Sequence, residues 1–181
     1  MSVAGTFRRR RGGRVAVRLS PEEVELLRMI ARDVVTIVCA PPEGEVGERL
    51  YPRAYLDPTE ERAEQDFRGL VHDDLVEQRR SALATVLDKL PPTDPTVEVG
   101  AGERADFELD ADEALQWLTA LNDARLVIGT ALGVTEDDSG DFPPDDPRFD
   151  LGTCYQWLSY LQFELVELLL DDLGEDGVDD A

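Results

Sequence analysis

The chain has 181 residues, 42% of them hydrophobic, and sets 40 acids against 18 lysines and arginines for a net charge of -22. That length and apolar content suffice for one ordinary domain with a real core and exclude wholesale disorder. An acid excess of this size repels phosphate backbones and excludes a broadly basic nucleic-acid interface.

Residues 1–6 read as a flexible tail. Residues 7–19 (FRRRRGGRVAVRL) read as a β-hairpin, with Val15, Val17 and Leu19 alternating and Gly12-Gly13 supplying the turn. The first 20 residues hold six arginines and no acid, so any direct nucleic-acid contact would run through Arg8, Arg9, Arg10 and Arg11. Ser20, Pro21 and Glu23 form an N-cap, a first-turn proline and a capping-box acid. They open a helix over about 20–38 with Val24, Leu27, Ala31, Val34 and Val38 on one face, stopped by Pro41-Pro42. Residues 41–56 read as a loop.

Asp57-Pro58 with Glu60 opens a second helical stretch, 58–90, whose apolar stripe runs Phe67, Leu70, Val71, Leu75, Ala82, Leu83, Val86, Leu87, Leu90. Residues 96–99 and 105–110 alternate around a Gly-rich turn and predict a second short hairpin. Asp110 with Glu113 caps a helix over 111–132, and Gly133 closes it. Residues 136–150 (EDDSGDFPPDDPRFD) read as an acidic, Pro-rich connector, 151–172 as the last helix, and 173–181 as a disordered acidic tail. The sum is a mainly α, single-domain bundle of four to five helices over 7–172, with a small antiparallel sheet.

The chain offers little material for chemistry. Gly100–Ala105 (GAGERA) matches a nucleotide or methyl-donor loop, but such a loop needs a helix starting at its glycines, and here a strand follows. The acidic connector fits no EF-hand frame, because the sixth position counted from Asp137 is Phe142. His72 is the only histidine, which leaves no catalytic triad and no His-rich metal site. The expectation is therefore no enzyme activity, no metal and no cofactor. Cys39 and Cys154 are too few for a disulfide scaffold; Cys154, expected in the first turn of the last helix, is the better candidate for a reactive thiol. No secretory signal core or 20-residue apolar run is present, so the expected location is the cytoplasm.

What stands out instead is apolar surface in two helices, Trp117–Val134 and Tyr155–Leu170. A helix apolar on most sides is either central to the core or docked against another chain. In the last helix Cys154, Leu158, Leu161, Leu165 and Leu168 make one stripe, while Trp157, Tyr160 and Phe163 point away from it. Those three aromatics, with Trp117, are the candidate partner or homodimer interface. Arg125, with Asn122 one turn earlier, lies among apolar residues and needs a partner if buried: either an acid on a facing helix, or a polar lock that sets helix register.

Four segments carry a family resemblance: Phe7–Arg28, Phe67–Leu75 (FRGLVHDDL), Trp117–Asp137 (WLTALNDARLVIGTALGVTED) and Tyr155–Leu169. With these the chain resembles an actinobacterial family of small uncharacterised domains that includes the AosR-like oxidative-stress transcriptional regulators. The resemblance implies a cytoplasmic, stress-responsive transcriptional regulator and brings no catalytic residue with it. A thiol switch works best with neighbouring cysteines, and here the two are far apart in sequence. The reading is a regulator that works by protein contact, for example with a sigma factor. The alternatives are a DNA-binding regulator using the arginine hairpin, or an adaptor in a proteolytic or metabolic complex.

Overall fold

The computed structural model of the chain describes residues 5–55, 57–92, 104–135 and 140–175. Strand β1 (Phe7–Arg9) pairs antiparallel with β2 (Val15–Leu19), as the alternation and the glycine turn require. Helix α1 (Pro21–Val38) starts on the expected capping box, in which Ser20 and Glu23 bond each other's backbone amides. Two expectations change here. The supposed loop contains a short helix, α2 (Gly44–Leu50), that buries Leu50 and is followed by the buried ring of Tyr51. The stretch after Asp57 is a 3-10 turn, Pro58–Glu60, running into one long helix, α3 (Glu61–Lys89).

Strand β3 (Ala105–Leu109) does not belong to a separate hairpin within the described residues. It pairs antiparallel with β2, so that one sheet of order β1-β2-β3 forms. Residues 96–99 and 100–103 lie outside the described residues, and so does the glycine motif. One sheet face buries Phe7, Val15, Val17, Leu19 and Leu109. The other carries Arg18 opposite Asp106 and Ala16 opposite Glu108.

Helix α4 (Ala111–Leu132) is the central element, touching α1, α2, α3, α5 and β3. Asp110 and Glu113 form its capping box, and Gly133 ends it in the left-handed conformation (φ 71°) that glycine adopts without strain. Helix α5 (Phe149–Glu175) begins two residues earlier and runs three further than expected, and it lays Leu158, Leu161 and Leu165 fully into the core. Ahead of β1, Thr6 is already buried, its amide donating to Glu164 Oε2 at 3.0 Å, so this residue of the expected flexible tail is held by the fold.

The long stripe of α3 divides in two. Ala82, Leu83 and Val86 are buried against the bundle, whereas Leu70 is 78% exposed and Phe67 and Leu75 also face solvent. Helical periodicity predicts a face, but only the packing partner decides whether that face is core.

Candidate functional site

Trp117 is 0% exposed and belongs to the core, not to an interface. Its ring meets Phe7 edge-on at 6.3 Å and Phe107 at 5.6 Å, joining both outer strands to α4. The correction has a simple cause: α4 is enclosed by other elements on most sides, so its surplus apolar surface is used internally.

The α5 aromatics are placed differently. Trp157 is half-buried against the core, whereas Tyr160 is 45% and Phe163 61% exposed, and Leu170 extends the same flank. Tyr160 donates its hydroxyl to Glu164 Oε1 at 2.8 Å, and the other oxygen of that carboxylate holds the Thr6 amide. That bond raises the Tyr160 hydroxyl pKa, because an acceptor carboxylate favours the protonated phenol. The flank therefore sets exposed Tyr160, Phe163 and Leu170 beside one acid committed within the fold, Glu164, and a second, Glu167, that is exposed on the same face.

Arg125 and Asn122 are bridged, but not by an acid. Arg125 donates to Gln162 Oε1 at 2.6 Å, and Gln162 Nε2 donates to Asn122 Oδ1 at 3.3 Å. One glutamine of α5 thus satisfies both polar groups of α4, and the guanidinium also lies over the Tyr155 ring. A donor and an acceptor that meet only at one offset are the geometry of a register lock.

The cysteines stay apart in role. Cys39 is exposed at the end of α1, and Cys154 is partly buried. Because α5 begins at Phe149, Cys154 lies beyond the first turn, where the helix dipole has faded. Burial pushes its thiol pKa up, the opposite of activation.

The arginine hairpin is exposed but is partly matched by β3 acids. Arg14 lies 3.4 Å and Arg10 3.8 Å from Glu108, and Arg18 reaches Asp106 at 2.9 Å. Arg8, Arg9 and Arg11 are exposed, in or beside β1. A phosphate backbone would compete with carboxylates already in place.

Sequence reasoning missed three features. Asp123 of α4 is fully buried and paired with Arg79 of α3, which also donates to the Leu50 carbonyl at 2.7 Å and covers the Tyr51 ring. Glu64 of α3 is buried and accepts the Ala54 and Tyr55 amides, each at 3.0 Å, and Arg68 at 3.1 Å. These bonds, the Tyr55 amide foremost, hold its carboxyl below the usual range. It lines a cleft of about 550 Å³ in which Arg53 is also committed, to Glu61. The third feature is an apolar groove of about 520 Å³ where α1, the end of α4 and the start of α5 meet. Its signal was present in α1, which carries Leu26, Met29 and Ile37 in addition to the stripe that the core uses. Among the described residues no group of acids, histidines or cysteines is placed to hold a metal ion, and Asp146 of the acidic connector instead binds Arg148 at 2.9 Å. No helix among them is long and apolar enough to cross a membrane.

Comparison with known proteins adds a family. A family model described as a domain of unknown function, DUF2017, matches residues 4–169. The chain is 32% identical over 140 residues to an AosR-named protein of Mycobacterium leprae (strain TN), covering 71% of this chain and 60% of that protein. It is 26% identical over 194 residues to the oxidative stress regulator AosR of Mycobacterium tuberculosis (strain ATCC 25618 / H37Rv), covering 89% of this chain and 84% of that protein. The AosR of Mycobacterium bovis (strain ATCC BAA-935 / AF2122/97) matches to the same extent. No solved structure matches.

Proposed function

The chain belongs to the DUF2017 family, and from that premise we propose that it is a non-enzymatic regulatory protein of the oxidative-stress response. It acts in the cytoplasm through protein–protein contact on the transcription machinery, for example on a sigma factor. The names of the mycobacterial relatives support the regulatory part. The contact part rests on one observation: an outer helix that buries one face in the core and leaves Tyr160, Phe163 and Leu170 uncovered. Exposed aromatics on a rigid helix are the residue type that anchors interfaces. Affinity capture from the native host, with and without peroxide, tests the reading. The expected result is a transcription-associated protein whose recovery changes with peroxide. Recovery of a proteolytic or metabolic complex alone would replace the reading with that of an adaptor.

The same flank serves self-association. In a two-fold dimer Tyr160 and Phe163 would face their own copies, an isologous contact that closes on itself. Light scattering across a dilution series should show a dimer. Phe163→Ala should raise its dissociation constant by about ten-fold or more, as loss of an anchor of roughly 2 kcal/mol does. The helical circular dichroism should not change, because Phe163 is exposed. A strict monomer at high concentration would refute the dimer.

A further inference from the structure

The groove between α1, α4 and α5 is separate from the α5 flank. Met29, Asp33 and Ile37 of α1 face Ile128 of α4 and Leu151 and Cys154 of α5 across it. Met29 is 55% exposed, and Ile37 and Leu151 are exposed too, so three large apolar side chains from two helices meet water at one place. From Leu26 to Ile37 the α1 wall runs roughly 16 Å, about three helical turns. That is the footprint of one short amphipathic helix laid in a groove.

Charge decides what kind of helix. The lining contains two acids, Asp33 and Asp150, and neither lysine nor arginine. Of the segments of the chain outside the described residues, 93–103 carries Asp94, Glu98 and Glu103, 136–139 reads EDDS and 176–181 reads DGVDDA, all acidic, and 1–4 reads MSVA, with no lysine or arginine. None complements this rim. A second copy fits no better. Groove against groove would bring the acids Asp33 and Asp150 of two copies together, and any other face offered to the groove belongs to the same acidic molecule. Between molecules that each carry -22, net charge opposes both arrangements.

We propose that this groove is the docking site for a basic amphipathic helix of a partner protein. Its apolar residues, spaced at i, i+3/i+4 and i+7, would lie on Met29, Ile37 and Leu151, and its lysines or arginines would lie beside Asp33 and Asp150. The proposal rests on the protein-contact reading above and adds to the α5 flank a second contact surface, with a stated chemistry.

The test is fluorescence anisotropy of the full chain with a labelled helical peptide of about 14 residues, built from Leu, Ala and Lys with leucines on one face. Two controls share its length: a scrambled peptide of the same composition, and one with Glu in place of Lys. The expected result is saturable binding of the amphipathic basic peptide alone. It should weaken about ten-fold in Met29→Gln/Ile37→Gln and in Asp33→Lys, with Phe163→Ala unchanged. Met29 and Ile37 are exposed, so a preserved circular dichroism spectrum will show these variants folded. Equal binding of the scrambled peptide, or binding indifferent to the groove variants, overturns the proposal. So does a dimer that dissociates when the groove alone is altered, since a second copy would then be the occupant. If Met29→Gln/Ile37→Gln still captures a transcription-associated partner undiminished, the regulatory reading survives and the groove does not. If no variant or parent chain captures one while the peptide binds as expected, the reverse holds.

Discussion

Replacing Trp117 with alanine is expected to lower the free energy of unfolding by about 3–5 kcal/mol, the range for removing a fully buried large aromatic. The indole is in ring contact with both Phe7 of β1 and Phe107 of β3, so its loss opens a cavity between the sheet and α4. A buried cavity is costly because the surrounding side chains collapse into it only in part. Urea unfolding followed by circular dichroism should show a lower midpoint for Trp117→Ala with its slope unchanged. Trp117→Phe keeps most of the ring and should cost about 1–2 kcal/mol. An alanine variant within 1 kcal/mol of the parent would mean that the sheet is not fastened through this residue.

Asp123→Ala is expected to cost about as much, 3–5 kcal/mol, for a different reason. Asp123 is 0% exposed, and its partner Arg79 has only 19% of its side chain exposed. Removing the acid strands a guanidinium between α2, α3 and α4, where water cannot replace the lost charge. Taking away both charges together, with Arg79→Met and Asp123→Leu, should restore most of the loss, since an apolar pair of similar volume avoids the desolvation cost. The same urea measurement checks both variants, and a double variant as unstable as the single one would contradict the argument. The pH dependence has a definite sign. Burial raises the Asp123 carboxyl above its ordinary value despite Arg79. The folded protein therefore holds that proton more tightly than the unfolded chain, and this group's contribution to stability declines as pH rises from the ordinary carboxylate range through the raised value.

What could be read from the sequence was local chemistry. The Ser20–Glu23 and Asp110–Glu113 boxes and the Gly133 stop mark helix ends through bonds between near neighbours, and the hairpin is written in alternating valines and two glycines. What could not be read depends on distant partners. Strand β3 finds β2 from some ninety positions away, as in the pairing of Ala16 with Glu108, and nothing in either strand names the other. Helix α2 has no side-chain cap; it exists where Leu50 and Tyr51 fit the core and where Gly47 lies so close to Pro42 that an added Cβ would sit 2.5 Å from its carbonyl carbon. The candidate interface divided along the same line. Tyr160 and Phe163 are outside because α5 is an outer helix, while Trp117 is inside because α4 is surrounded. Asn122 and Arg125 could be seen to need a partner, but that the partner would be Gln162 depends on how two helices cross.

Helix α3 shows where this division leads. Its 29 residues span about 43 Å, and its two ends are fastened by different forces. The far end is held by buried Leu83 and Val86, a grip that dilute acid leaves alone. The near end is held by Glu64 on the Ala54 and Tyr55 amides and by Arg53 on Glu61, and there Phe67 and Leu70 give little apolar support. Because the Glu64 carboxyl is lowered in the fold, that clasp is present near neutrality and is lost as acidification carries the pH down through its depressed value. Acidification is therefore expected to loosen one arm of a long helix before the other, which stays bolted to the bundle.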